Sequence, residues 1–311
     1  MIELKTVPSS PQRHFLTPPR RRQERLPPWF KVKAATGPNY IKIKRLVEEK
    51  GLHTVCSEAK CPNIWECWNV GVATFMIMGE VCTRSCGFCA VDFGKPAALD
   101  DEEPRRLADA ISALGISHAV ITSVNRDELE NGGAEIFAES IERIFAVTPQ
   151  CTVEVLIPDF QGKRASLQIV LAARPNVLAH NIETVPRLYR SVRPQAKYDR
   201  SLHVLSWAKQ GGLVTKTGMM LGLGESFDEV RSVMCDLVEI GCDILTLGQY
   251  LQPTDRHLPV SRFVSPSEFN QLKKEGEAIG LGHVESGPLV RSSYHAEKQL
   301  AARADGVPRR R

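Results

Sequence analysis

The segment C-T-R-S-C-G-F-C places Cys82, Cys86 and Cys89 in one short loop. Three thiolates so close together can hold three irons of a [4Fe–4S] cube. The fourth iron is then left without a protein ligand, and an open iron can chelate a small molecule through an amine and a carboxylate. Zinc sites usually combine paired cysteine units into four protein ligands, which a triplet spaced three and then two residues apart fits poorly. A second triplet lies upstream in C-S-E-A-K-C-P-N-I-W-E-C, at Cys56, Cys61 and Cys67, spaced four and then five residues apart. By the same coordination argument it could hold a second cube. Nine cysteines cannot all pair internally, and six of them fall between positions 56 and 89. In a reducing compartment such clustering points to metal binding rather than disulfides. Cys151, Cys235 and Cys242 have no cluster spacing and read as buried, inert thiols.

The spacing of Cys82, Cys86 and Cys89, with Phe88 directly before the last, resembles the signature of the radical S-adenosylmethionine (radical SAM) superfamily. The upstream triplet makes the resemblance narrower. Together with G-L-H-T-V-C, C-P-N-I-W-E-C-W, A-T-F-M-I-M-G and the late R-S-S-Y-H-A, it is similar to the lipoyl synthase family over roughly residues 27–300.

That resemblance implies two [4Fe–4S] clusters and S-adenosylmethionine as cofactors. Cys82, Cys86 and Cys89 would bind the cluster that cleaves S-adenosylmethionine, giving a carbon radical that takes hydrogen from an unactivated C–H bond. Cys56, Cys61 and Cys67 would bind an auxiliary cluster consumed as sulfur donor. Its fourth ligand would be a serine of R-S-S-Y-H-A: Ser292, with Ser293 the fallback. An oxygen ligand is harder than thiolate and a poorer match for a soft centre, which suits a corner that must open. The implied activity is insertion of two sulfur atoms at C6 and C8 of an octanoyl chain held on a carrier-protein lysine. Implied partners are octanoylated lipoyl carrier domains of 2-oxoacid dehydrogenase E2 subunits, or the glycine-cleavage H protein. A reductant such as ferredoxin or flavodoxin and an iron–sulfur carrier for cluster repair are implied as well.

Cofactor contacts are expected where polar residues end the strands. T-S-V-N-R-D offers Ser123, Asn125, Arg126 and Asp127, and H-N-I-E-T-V offers Asn181 and Glu183, the latter able to accept from ribose hydroxyls. Arg193 in S-V-R-P is a further candidate. G-M-M-L-G-L-G-E contributes Gly222 and Glu225, and Gln249, Tyr250 and Leu251 close the last strand of the core. Where the family commonly has an aspartate before two glycines, this chain has Asn131 before Gly132 and Gly133, which keeps the glycine turn and drops the charge.

The elements that must carry these residues alternate. Apolar runs at 74–78, 118–123, 152–157, 177–179, 214–221 and 244–249 read as buried strands. Helical patterns lie at 41–50, 105–114, 134–146, 167–173, 201–210, 227–240 and 267–279, with Ser226 as an N-cap and Gly241 as a stop. Alternation implies parallel pairing with right-handed crossovers. The expected α/β fold is a partial six-stranded (β/α) TIM-like barrel of the radical SAM type with N- and C-terminal extensions, its working loops at the carboxyl ends of the strands. A doubly wound open sheet is the alternative. The division expected is a Pro-rich basic arm at 1–30, an extension with the first triplet at 31–73, the barrel at 74–283 and a C-terminal segment at 284–311.

At 311 residues, 42% hydrophobic and net charge +4, nothing calls for a polyanionic partner, and few aromatics argue against a nucleic-acid stacking surface. Basic residues concentrate in Arg13, Arg20, Arg21, Arg22, Arg25, Lys31 and Lys33, and again in Arg309, Arg310 and Arg311. These read as solvated tails, or as arms that meet an acidic partner. No run reaches the ~20 apolar residues of a membrane span, so a cytoplasmic protein is expected, with an organelle matrix left open by the basic N-terminus. Two rivals use the same cysteines: a methylthiolating radical SAM enzyme acting on tRNA, and a zinc-binding interaction protein.

Overall fold

The structure, a computed structural model, describes residues 26–32, 36–59 and 61–299. Most of the basic arm and the C-terminal arginines therefore lie outside the described residues. The N-terminal part contributes α1 (Pro38–Glu49), β1 (His53–Thr54), α2 (Val55–Glu58) and α3 (Ile64–Asn69). Strand β2 (Thr74–Ile77) follows, then two short strands, β3 (Val81–Cys82) and β4 (Asp92–Phe93). From there helix and strand alternate: α4 (Glu103–Leu114), β5 (His118–Ser123), α5 (Ala134–Val147), β6 (Thr152–Leu156), α6 (Arg164–Ala172) and β7 (Val177–Ala179). The chain continues with α7 (Tyr189–Val192), α8 (Tyr198–Gln210), β8 (Val214–Leu221), α9 (Phe227–Glu239), β9 (Ile244–Gln249), α10 (Pro266–Ile279) and β10 (His283–Gly287).

The main sheet runs β1-β2-β5-β6-β7-β8-β9-β10, while β3 and β4 pair separately. Every pair from β2 to β10 is parallel, and β1 lies antiparallel on β2. The order never reverses, as it would at the switch point of a doubly wound sheet. Right-handed crossovers then step one way and leave the helices on one face. The sheet has two edges, β1 and β10, so it is an open barrel. The six expected strands form its centre. A seventh parallel strand, β10, was not foreseen, because H-V-E-S-G buries only Val284 and lacks an apolar run.

The central strands are buried on both sides, which is why they read as apolar runs rather than alternations. Helix starts follow local chemistry. Ser226 and Glu229 form a reciprocal capping box on α9, and Ser265 and Glu268 do the same on α10. Among the described residues no helix is long and apolar enough to cross a membrane.

One ion pair is fully enclosed. Lys216 on β8 places Nζ 2.8 and 3.0 Å from the two carboxylate oxygens of Glu154 on β6, reaching past β7. His118 on β5 brings Nε2 to 3.8 Å from the same carboxylate. Such a reach requires the sheet to curve around these side chains. Breaking a buried pair on one side leaves an uncompensated charge, which costs about 3–5 kcal/mol. Lys216→Met is expected to lower unfolding free energy by that amount in a denaturant titration. Adding Glu154→Leu should recover most of the loss, since no charge is then stranded.

Candidate active site

The loop carrying the second triplet is held by the ends of three different elements. Strand β2 stops where Met78 and Gly79 both take positive φ, at 67° and 86°. On one side the loop is zipped to the residues after β5. Thr83 N–H donates to Asn125 O at 3.0 Å, and Asp127 N–H donates to Thr83 Oγ1 at 3.1 Å. The Cys82 sulfur accepts two backbone N–H groups, from Arg84 at 3.4 Å and Asn125 at 3.3 Å. On the other side Gly87 N–H donates to Val192 O at 2.8 Å, Leu258 N–H donates to Gly87 O at 3.0 Å, and His257 Nε2 lies 2.9 Å from Cys89 O. A Cβ on Gly87 would stand 2.9 Å from Leu258 Cδ1, so a side chain there would push the Leu258 side chain away.

Residues expected to hold the cofactor gather here in part. Asn181 and Glu183 follow β7, with Asn181 Nδ2 donating to Glu183 Oε1 at 3.0 Å, and Arg193 Nη1 donating to Asn181 O at 2.6 Å. Glu183 takes φ 64° and bridges to Met219, a left-handed conformation that costs a non-glycine residue and clusters at functional sites. Four buried polar atoms in this region have no hydrogen-bond partner: Ser123 Oγ, Asn125 Oδ1, Asn181 Oδ1 and Arg193 Nε. Each such atom costs about 1–3 kcal/mol when left unpaired. A polar ligand with hydroxyl, amine and carboxylate groups fits that set. Burial raises the Cys86 thiol to about 11, with the Arg193 guanidinium opposing, and raises Cys89 to about 12.

Other expected contacts are already committed to the protein. Both Asp127 oxygens accept from Arg84, at 2.6 and 2.8 Å. Arg126 is buried and donates to Met78 O and Ala97 O. Glu225 accepts from Gly222 N–H and Leu223 N–H, closing its own turn. A Cβ on Gly222 would meet Gln249 Nε2 at 2.0 Å, so its close neighbour is this side chain. Gln249 donates to Tyr250 O and Arg262 O and accepts from Val264 N–H, and Tyr250 OH donates to Leu258 O at 2.7 Å. These residues build the segment that clamps the loop, where the sequence suggested direct contact. Phe88 and Leu251 are half-buried. Asn131 Oδ1 accepts from Gly133 N–H at 2.9 Å, so the amide serves the turn without a charge.

The first triplet lies at the seam between the two edges of the open sheet. Cys56 sits on α2, whose N-cap Thr54 accepts from Ser57 N–H, and Cys67 sits on α3. A small cavity is lined by Cys56, Cys61, Cys67, Thr74, Arg291 and Ser293, among others. The serine that meets this cavity is Ser293; Ser292 does not line it. Thr74 Oγ1 donates to Ser293 Oγ at 2.8 Å. Two more ties bring the late segment across: Asn63 Nδ2 to Leu289 O at 2.6 Å, and Tyr294 OH to the Glu66 carboxylate at 3.2 Å. Burial pushes Cys56 and Cys61 up and raises Cys67 to about 12.

Sulfur spacing separates a cube from a single ion. A zinc ion bound by thiolates at about 2.3 Å needs sulfurs about 3.8 Å apart. Among the described residues the one group of three such ligands mutually within 4.8 Å is His53, Glu58 and Glu80, so neither cysteine triplet is that tight. The wider spacing suits a cube, which spreads its ligands over separate irons. Of the remaining thiols, Cys151 and Cys242 are buried as expected, but Cys235 is exposed on α9. Arg84, His257 and Thr74 were missed as site residues. Arg84 lies inside the quoted motif, yet nothing in spacing says where its guanidinium goes.

Residues 76–237 match the radical SAM superfamily, and residues 12–61 match the N-terminal domain of lipoyl synthase of the radical SAM family. A lipoyl synthase of Rubrobacter xylanophilus is 58% identical over 284 residues, covering 89% of this chain and 88% of the relative. Those of Koribacter versatilis and Mycolicibacterium smegmatis are 54% and 52% identical, covering 88% and 90% of this chain and 90% of each relative. Among solved structures, the FeFe-hydrogenase maturase HydG from Carboxydothermus hydrogenoformans is similar at TM-score 0.57 and 16% identity, over 74% of this chain and 56% of that one. Streptococcus suis SuiB bound to its precursor peptide is similar at TM-score 0.56 and 10% identity, over 79% of this chain and 52% of that one. The chain spans about half the length of these two solved proteins, and the likeness shows the fold alone. Sequence relatives of this similarity, covering nine-tenths of both chains, make the protein a member of the lipoyl synthase family of radical SAM enzymes.

Proposed function

We propose that this chain inserts two sulfur atoms, at C6 and C8, into an octanoyl chain carried on a protein lysine, using S-adenosylmethionine and two [4Fe–4S] clusters. The observation that carries this reading is the cavity at the seam, where the Ser293 hydroxyl joins three thiols from a segment 219 residues beyond Thr74. Three thiols and one hydroxyl make a four-ligand set with one hard corner. When bound, the cofactors supply a primary carbon radical at the Cys82, Cys86 and Cys89 loop and sulfide at the Cys56, Cys61, Cys67 and Ser293 cavity. Asn181, Glu183 and Arg193 orient the nucleotide and its amino-acid end, and the clamp built on Gln249 and Tyr250 fixes the loop. The substrate is a lipoyl carrier protein: an E2 lipoyl domain of a 2-oxoacid dehydrogenase or the glycine-cleavage H protein. Electrons come from a ferredoxin or flavodoxin, and an iron–sulfur carrier restores the auxiliary cluster.

The division of labour is separable by mutation. Oxygen-free protein should carry about eight irons per chain. Cys61→Ala should keep reductive cleavage of S-adenosylmethionine and abolish sulfur addition to an octanoylated carrier peptide, read by mass spectrometry. Cys86→Ala should abolish both. Ser293→Ala should lose sulfur addition with cleavage retained, while Ser292→Ala stays close to wild type. A lipoylated product from the Cys61 variant overturns the assignment.

The thiols also set a pH dependence. Cys67 and Cys89 rise to about 12 and Cys86 to about 11 from the ordinary 9.0, so all three are protonated at neutral pH without iron. Cluster loading must release those protons, and anaerobic reconstitution is expected to be more complete at pH 8.5 than at pH 7. A raised folded pKa contributes stability that is present below pH 9 and lost as pH climbs from about 9 to about 12. Thermal unfolding of cluster-free protein should therefore fall in temperature between pH 8.5 and 10, and the loaded protein should not share that loss.

A further inference from the structure

Two backbone N–H groups donate to the Cys82 sulfur, from Arg84 at 3.4 Å and Asn125 at 3.3 Å. Both amides belong to segments tied to one another by the hydrogen bonds of Thr83 with Asn125 and Asp127 and by one side-chain fork between Arg84 and Asp127. Arg84 Nε and Nη2 donate to the two Asp127 oxygens at 2.6 and 2.8 Å, a fork on a carboxylate two residues beyond Asn125. The second face of the guanidinium is held too. Arg84 Nη2 donates to Asp159 Oδ1 at 2.6 Å, and Asp159 Oδ2 accepts from Arg200 Nη1 on α8 at 3.0 Å. The Arg84 side chain is 4% exposed and Asp159 is fully buried. Burial alone would favour the neutral acid, but the Arg84 hydrogen bond and charge hold Asp159 well below the usual carboxylate range. The side chain is therefore anchored at the ends of β5 and β6 and cannot drift without moving its own amide.

We propose that Arg84 and Asp127 are a positioning pair that keeps two amide N–H groups on the Cys82 sulfur and so makes the cluster held by Cys82, Cys86 and Cys89 easier to reduce. This rests on the assignment of a cluster to that triplet. The physical reason is electrostatic. Reduction adds one negative charge to the cluster, and N–H dipoles aimed at a ligand sulfur stabilise the more negative state, so hydrogen bonds to sulfur raise the potential. A proline would remove either N–H but would also break the loop's backbone, so the amides' placement is loosened instead through the side chains that fix it. Arg is needed rather than Lys because only a planar fork meets both Asp127 oxygens.

The test is an anaerobic redox titration followed by electron paramagnetic resonance, on full-length protein in a Cys61→Ala background so that one cluster remains. Dithionite supplies the electron. Asp127→Glu keeps the charge and moves the carboxylate off the fork; Arg84→Lys keeps the charge and removes the fork. Each is expected to retain about four irons and to lower the equilibrium constant for one-electron reduction about tenfold, about 59 mV more negative. Unchanged potential in variants that hold their iron overturns the proposal. Loss of the cluster from both variants would assign the pair to assembly alone and overturn it equally. A Cys61→Ala parent without iron would instead sink the cluster assignment, before either variant is read.

Discussion

The auxiliary cavity depends on hydrogen bonds that cross the open seam of the sheet. Cys56, Cys61 and Cys67 come from the N-terminal extension beside β1 and β2, while Ser293 comes after β10, at the opposite edge. Thr74 to Ser293, Asn63 to Leu289 and Glu66 to Tyr294 hold the two together. Each is worth about 1 kcal/mol, too little to hold a segment alone. Burial of Val290, about 1.5–3 kcal/mol for a fully buried valine, and of Ala296 adds the apolar part. The sequence separation matters less than it looks, since each doubling of a closed loop adds only about 0.6 kcal/mol. The late segment is thus held by a set of small terms acting together.

The radical loop is held in a different way. Its anchors are the ends of β5 and β6, the turn after α7 and the clamp after β9, all set on the rigid parallel core. Arg84 is buried and paired with both Asp127 and Asp159, where the first triplet relies on hydrogen bonds to a backbone carbonyl, a hydroxyl and the exposed Glu66 carboxylate around a partly open cavity. In the proposed reaction the difference has a purpose. A cluster that only passes electrons gains from an environment that does not move. A cluster that gives up sulfur needs a corner held by terms small enough to yield.

How much of this could be read in advance follows from where the information lies. The strands at 118–123, 177–179, 214–221 and 244–249 match the structure because a strand buried on both faces has to be a bounded apolar run. Strand β10 carries no such run and stayed hidden. The two cysteine triplets stood out in the sequence because coordination demands a residue type at a spacing. The side chains of Asp127, Glu225 and Gln249 were not, because a polar residue at a strand end looks the same whether it meets a ligand or ties the next loop. Which of Ser292 and Ser293 lines the cavity depends on the turn at 292–295, which places neighbours in different directions. Cys235 faces outward on a helix whose buried positions are Val230, Val233, Met234 and Leu237, about 100° round from its buried neighbour Met234.

Gly248 ties the barrel to the seam. It lies inside β9, fully buried, where a glycine normally weakens a strand by offering no side chain to pack. Here a Cβ would stand 2.1 Å from the carbonyl oxygen of Val290, with Arg291 Nη1 at 3.4 Å. The segment after β10 therefore lies directly on the backbone of β9, and any side chain at 248 would lift it. Lifting Val290 moves Arg291 and Ser293 with it, since Arg291 is its neighbour and donates Nη1 to Val290 O, and only Arg291 and Ser292 lie between Val290 and Ser293. The absence of a single methyl group in the sheet is what lets a hydroxyl reach the cavity at the far edge.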